Sequence, residues 1–425
     1  MNVVDIINKK RKKQEVTTEE ISYVIKNYVD KKIPDYQMSA LLMAIALNGM
    51  NERETVDLTT AMLHSGNQID LRMIPGIKLD KHSTGGVGDK TTLILAPIVA
   101  ATGINVAKMS GRGLGFTGGT IDKLESIPGF KTALTFDQFT KQISHIHVAV
   151  ASGTKNLVPA DKMMYALRDV TGTVESIPLI AASIMSKKLA SGADKFVIDV
   201  KVGNGALMKN LEDAKKLAHL MVHIGRIHQK ETICVLTNMN QPLGSAIGNA
   251  LEVQESMDVL QGKGPMDITQ LAIVLAIQMV RLGKNISEEE ATEEVRKVLM
   301  TGMAYEKFKE WIQIQHGDLG KLTVSSKIVS IKSKQNGVIS HIDTERLGEL
   351  TRQLGAGRYT KEDVIDPTVG IKIEKKIGEF VISDEELAKV YVGEKDINVN
   401  DILECFTISE HFLDNEPLIL DIIKD

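Results

Sequence analysis

Glycine is crowded into one stretch of this chain: nine of its 34 glycines fall between Lys81 and Thr120, where an even spread would place about three. The crowding resolves into two loops. The strand-like run Lys78–His82 leads into Ser83-Thr84-Gly85-Gly86-Val87-Gly88, and Asn105–Met109 leads into Ser110-Gly111-Arg112-Gly113. Helical patterns follow both. Further strand candidates are His147–Val150, Phe196–Val202 with Gly203 and Gly205 behind it, and Thr232–Thr237. Strands alternating with helices imply a largely parallel sheet covered by helices on its faces. Ligands of such sheets bind beyond the carboxyl ends of the strands, where these glycines lie.

The flanks are of other kinds. The first 65 residues read as helices: Thr17 and Glu20 make a capping box ahead of the apolar stripe Ile21, Val24, Ile25, Tyr28 and Val29. Gly49 and Gly66 mark helix ends, and Asn51 with Glu54 opens the third helix. Residues 160–190 return to helix, with Pro178 suited to the first turn of a helix carrying Ile180, Ile184 and Leu189. Short strand candidates with Gly355, Gly357 and a turn at Lys375–Gly378 fill the end. The expected fold class is α/β: a small all-helical domain (1–66 and 160–192), a large α/β domain with a mixed, largely parallel sheet (70–155 and 195–334), and a C-terminal α+β portion (335–425).

Charge and composition exclude several functions. With 51 basic and 55 acidic residues the net charge is −4, and aromatics are 4%, which argues against a nucleic-acid binder. Two distant cysteines, Cys234 and Cys405, offer neither a disulfide framework nor a metal-ligand spacing. The longest apolar run, Leu93–Ala101, is broken by Pro97 and falls far short of the ~20 residues of a membrane span. The basic run Lys9–Lys13 reads as a solvated helix end, and no secretory signal is legible. A soluble, cytoplasmic protein is expected.

Three residue sets carry chemistry. Lys81-His82-Ser83, followed by glycines and then Thr91 and Thr92, combines a cation, hydroxyls and bare backbone amides, the needs of an oxyanion such as phosphate; the spacing is not that of a P-loop. Lys108-Met109-Ser110 through Thr120 repeats the pattern with five glycines in thirteen residues. Two such loops at neighbouring strand ends can converge on one anion. In the helical insertion Ser183 and Lys187 share a helix face, with Arg168 upstream; a solvated basic face is the plain alternative to a grip on a carbonyl-rich ligand. Lys188 points elsewhere on that helix. His145 and His147 read as alternating along a strand, and Asp199 with Lys201 as an ordinary same-face pair.

Taken together, the residues resemble the thymidine/pyrimidine-nucleoside phosphorylase family, closest to its broad-specificity bacterial members. The likeness rests on Ser110-Gly-Arg-Gly-Leu-Gly-Phe-Thr-Gly-Gly-Thr-Ile-Asp-Lys-Leu-Glu125, Lys81–Asp89, Pro159–Lys162, Tyr165–Thr171, Ser176–Ile180, Asn240–Gly244, Gly248–Glu252 and Gly355–Arg358, and spans nearly the whole chain. It implies phosphorolysis: a pyrimidine nucleoside (uridine, thymidine or deoxyuridine) plus inorganic phosphate gives free base and a pentose 1-phosphate. It also implies a homodimer built through the helical domain and a cleft that closes for reaction. On this resemblance Lys81, His82, Ser83, Thr92, Lys108, Met109, Ser110 and Thr120 hold phosphate. Arg168, Ser183 and Lys187 hold the pyrimidine, and His82, Arg168 and Lys187 are catalytic. Potassium would sit near Gly88, Lys90, Leu243, Ala246 and Glu255.

The chain departs from the family pattern at Phe116, where His is common, at Ser152-Gly153-Thr154, and at Lys90, which replaces a smaller residue. Lys108 is a mark of broad-specificity members, where thymidine-restricted ones tend to carry Met. The alternatives are a thymidine-restricted phosphorylase, an anthranilate-type phosphoribosyltransferase, which would need a magnesium-binding acidic pair, and a non-catalytic nucleoside sensor.

Overall fold

The computed structural model describes residues 1–113, 118–153, 156–360, 362–395, 397–410 and 416–424; Phe116 and Thr154 lie outside them. Four helices open the chain: α1 (Val3–Arg11), α2 (Thr18–Val29), α3 (Asp35–Asn48) and α4 (Glu52–Leu63). Both expected capping boxes are formed, Thr17 with Glu20 and Asn51 with Glu54, each satisfying two otherwise orphaned amides. The basic run at the end of α1 is less solvated than its composition suggests. Lys10 is buried against Glu54 at 2.8 Å, and Lys9 pairs with Glu20 at 2.9 Å.

A six-stranded sheet carries the rest. Its parallel strands are β1 (Lys78–Ser83), β2 (Asn105–Ser110), β3 (Val148–Ser152), β4 (Lys195–Val202) and β5 (Thr232–Asn238). The order across the sheet is terminal strand (Ile419–Ile423), β5, β4, β1, β2, β3. The chain therefore runs outward from β1 to β3, then restarts on the other side of β1 with β4. That reversal is a topological switch point, and a crevice opens there at the carboxyl ends of β1 and β4. The register places Lys81, His82 and Ser83 beside Val197, Ile198 and Asp199.

Between the strands run α5 (Thr91–Ala101), α6 (Thr120–Glu125), α7 (Phe136–Ile146), α8 (Pro159–Asp169), α9 (Ile177–Ala190) and α10 (Leu211–Ile227). Pro178 lies in the first turn of α9. One apolar core joins α1–α4, α8, α9 and α10 to one face of β4 and β5. The other core packs α5 beneath α11 (Asn249–Leu260), α12 (Met266–Lys284), α13 (Glu288–Met300) and α14 (Met303–Ile314). Helix α12 is the one described helix long and apolar enough to cross a membrane; here its apolar side is buried in that core.

Two differences from the sequence reading concern the C-terminal part. The boundary at 335 cuts through a sheet, because Ile328–Lys332 and even Ala246–Ile247 pair within the four-stranded C-terminal sheet with Gly370–Ile373 and Glu386–Tyr391. The final strand also leaves that region and adds antiparallel to β5. Both are pairings between segments remote in sequence, which local patterning does not specify. A third difference is local: His145 sits in the last turn of α7 and His147 caps it in the left-handed conformation (φ 64°), so neither lies on a strand.

Candidate active site

The crevice at β1 and β4 is floored by buried charge. Lys81 is 1% exposed, 3.6 Å from Asp199 Oδ2 and 3.8 Å from Asp89 Oδ1, and donates to the Thr91 hydroxyl. Burial pushes its ammonium down, and Asp89 and Asp199 pull it back up. Burial works against the Asp89 carboxylate, yet Lys81, Lys201 and Lys123 hold it well below its ordinary range. Lys201 Nζ lies 2.7 Å from Asp199 Oδ2, with both side chains fully buried. On the far side of β1, Lys108 donates to the Lys81 carbonyl and stands 3.7 Å from Asp80 Oδ1, whose other oxygen lies 2.5 Å from Lys188 Nζ. Four ammoniums (Lys81, Lys108, Lys188, Lys201) thus face three carboxylates (Asp80, Asp89, Asp199). Buried charge of that size requires compensation, and whenever Lys108 is charged the imbalance favours an anion in the crevice. Burial, outweighing Asp80, lowers Lys108 to about 7, so its charge depends on what binds beside it.

The two glycine loops are clipped together above this floor. Lys123, on α6, donates to the Asp89 carbonyl at 2.7 Å and the Gly118 carbonyl at 3.4 Å, while pairing with Glu252 at 2.9 Å. Ser83 Oγ accepts from the Gly85 amide at 3.2 Å. Met109 and Ser110 end β2, Thr92 lies buried in the first turn of α5, and Thr120 opens α6. The second loop is held by Asp122, which accepts from the Gly113 amide at 2.7 Å, from Arg112 at 3.0 Å and from Arg358 at 2.7 Å. Arg358 comes from the C-terminal part, 236 residues away.

Helices α8 and α9 supply the opposite wall. Lys187 donates to Asp161 Oδ2 at 2.5 Å and Ser183 Oγ at 2.7 Å, its side chain 38% exposed. Arg168 is buried, with three guanidinium donors taken by the carbonyls of Thr173 (3.1 Å), Leu179 (3.2 Å) and Val174 (2.7 Å). Of its five N–H donors, two are not used by these carbonyls. His82, half-buried, is where the walls meet. Burial, then the ammoniums of Lys188, Lys108, Lys187 and Lys81, press its pKa well below the ordinary imidazole value, which favours the neutral ring. A neutral imidazole donates one N–H rather than releasing a ready proton.

The expected potassium position is built differently. Lys90, fully buried, sends its ammonium to the Leu243 carbonyl at 3.0 Å, the Ala246 carbonyl at 2.8 Å and the Glu255 carboxylate. Gly88 packs against the same carbonyls: at φ 76°, a Cβ there would meet Leu243 O at 2.5 Å. Three of the oxygens a metal ion would use are already bound to a fixed cation, so the residues do not fit potassium. Among the described residues no group of three His, Cys, Asp or Glu is placed to hold a metal.

Sequence reasoning named Lys81, Lys108 and Lys187 but missed the carboxylates that meet them, Asp199, Asp80 and Asp161, and the supporting roles of three further cations, Lys201, Lys123 and Arg358. Asp161 stood inside the quoted run Pro159–Lys162, and the reading of Asp199 with Lys201 as a plain same-face pair missed that both lie beside Lys81.

Comparison with known proteins agrees with this architecture. Residues 4–66 match the helical bundle domain of the glycosyl transferase family, 76–305 its a/b domain, and 338–409 the pyrimidine nucleoside phosphorylase C-terminal domain. The chain is 51% identical over 405 residues to the pyrimidine-nucleoside phosphorylase of Geobacillus stearothermophilus and 52% over 405 residues to that of Bacillus subtilis, covering 94% of both chains each time. It is 50% identical over 423 residues to that of Staphylococcus aureus strain N315, covering 97% of both. Among solved structures, anthranilate phosphoribosyltransferase from Thermus thermophilus superposes with a TM-score of 0.59 at 17% identity, over 75% of this chain and 100% of that one, a likeness of fold. Half-identical to those relatives along nearly its whole length, the chain belongs to the pyrimidine-nucleoside phosphorylase family.

Proposed function

We propose that the chain catalyses phosphorolysis of pyrimidine nucleosides, uridine and thymidine alike, to free base and (deoxy)ribose 1-phosphate, as a cytoplasmic salvage enzyme. The observation that carries this reading is the position of His82 on β1, next to Lys81 of the buried charged floor and two residues from Asp80, whose pair with Lys188 ties the strand to α9, the helix that bears Lys187. An anion held on one side and a base held on the other are brought to one point.

On this reading Lys81, Ser83, Ser110 and Thr120 bind the phosphate, with Thr92, Lys108 and Met109 beside them. Phosphate arrives as the counter-charge the buried lysines lack. A phosphate oxygen attacks the anomeric carbon, the bond from that carbon to the ring nitrogen breaks, and its electron pair departs on the base. Negative charge then grows on the pyrimidine. Lys187, aimed by Asp161 and Ser183, and the remaining donors of Arg168 stabilise it, the kind of preorganised electrostatics that usually dominates catalysis. Neutral His82 donates a hydrogen bond to the base carbonyl. Holding both reactants in line removes an orientational cost worth up to ~7–11 kcal/mol. Closing of the cleft would exclude water, the competing nucleophile. No monovalent metal has a part in these steps.

The helical segments 1–66 and 160–192 form the base side and the dimer contact, and the sheet domain the phosphate side. An exposed apolar stripe on α3, Tyr36, Met43 and Leu47 at 74%, 38% and 75% exposure, supports a homodimer through that bundle. Release of uracil and thymine from their nucleosides, measured with and without phosphate, tests the reading.

A further inference from the structure

The loop 242–246 is wrapped around two lysine ammoniums. Lys90 takes the carbonyls of Leu243 and Ala246, and Lys376, from the C-terminal part, takes those of Pro242 and Gly244 and pairs with Asp267 at 3.0 Å. Glu255 completes the first cage: one carboxylate oxygen receives Lys90, and the other accepts the Ser245 and Ala246 amides at 2.8 and 3.1 Å. Converging backbone carbonyls need a donor or a positive charge between them, since their dipoles otherwise repel, and here an ammonium fills that place. The loop is also bonded to the first phosphate loop, Leu243 N donating to Val87 O at 3.1 Å.

We propose that Lys90 is a built-in cation. Its tethered ammonium, at the root of α5, performs the structural task of a bound monovalent metal ion, locking loop 242–246 to the loop that carries His82 and Ser83. A tethered charge loses little freedom on binding and cannot be diluted away, so folding and activity of this chain need no potassium. The same cage, emptied of Lys90 by a short polar residue, becomes a site for a monovalent cation of about ammonium size, lined by Leu243 O, Ala246 O and Glu255.

The test is thermal unfolding in potassium chloride against choline chloride at equal ionic strength, for the wild type and for Lys90→Ser. The wild type should unfold at the same temperature in both salts. Lys90→Ser should unfold several degrees lower in choline and recover part of that loss in potassium. A folded Lys90→Ser indifferent to potassium overturns the proposal. So does a wild type stabilised by potassium over choline, or one that holds a stoichiometric thallium(I) ion, a potassium surrogate, by thallium NMR. These wild-type measurements decide the matter even if the variant does not fold, and none depends on which nucleoside is cleaved.

Discussion

Lys188 of α9 lies 2.5 Å from Asp80 of β1, both side chains buried, while its neighbour Lys187 turns to Asp161 and the cleft. Consecutive lysines on one helix thus divide two tasks. One fixes the helix to the strand that bears Lys81 and His82, and the other stays partly exposed on the cleft side. Lys188→Met leaves Asp80 with only Lys108, 3.7 Å away. Removing one partner of a buried pair costs ~3–5 kcal/mol, so the variant should lose about that much stability in urea unfolding. A loss under ~1 kcal/mol would mean the pair is not a structural tie.

Lys187→Ala removes the charge proposed to meet the departing base. Its kcat should fall by ~10²–10³, the usual cost of one preorganised transition-state contact, with the KM for phosphate little changed. Asp161→Asn should cost less, since the ammonium remains and only its aim is loosened. Steady-state kinetics with uridine checks both, and a near-normal kcat/KM for Lys187→Ala would refute the assignment.

Lys108 gives a pH signature. Its folded pKa of about 7 lies below its ordinary 10.5, so the ammonium is present below pH 7 and lost above it. Bound phosphate favours the ammonium, and the contribution of Lys108 to phosphate affinity is therefore full at low pH and fades as pH rises past 7. The ratio of phosphate KM values, Lys108→Met over wild type, should be largest near pH 6 and approach one near pH 9. A ratio independent of pH would exclude the titration. Linkage adds that stability of the free protein should climb between pH 7 and 10.5, where the unfolded chain binds more protons.

Arg358→Ala cuts the C-terminal support of Asp122 and, through it, of the Gly113 amide. Charged hydrogen bonds are worth ~1.5–3 kcal/mol, so a rise of about tenfold in the phosphate KM with kcat largely preserved is expected. Arg358→Lys should recover part of it. Equal losses in kcat and kcat/KM would place Arg358 in the transition state instead.

The sequence made the framework legible because its signals are local. Four of the five parallel strands hold a short apolar stretch, each of the five is ended or followed by glycine or a small polar residue, and each capping box spans four residues. Lys81 and Lys108 were legible for the same reason, standing just before those glycines, and Lys187 through its helical spacing from Ser183. Their counter-charges were not: Asp80 meets Lys188 across 108 residues and Asp161 meets Lys187 across 26, distances at which no pattern links them. His147 was misread because a left-handed cap and a strand start look alike when an apolar run follows. Lys90 was noticed as a departure, but only the fold shows its ammonium seated among the oxygens expected to hold a metal.

The most direct measurement is base release from uridine and thymidine, each at equal concentration, with and without inorganic phosphate. Uracil and thymine should both appear only with phosphate, accompanied by equimolar pentose 1-phosphate. Release confined to the deoxyriboside would contradict the broad specificity attributed to Lys108, and no phosphate-dependent release from either would contradict phosphorolysis itself.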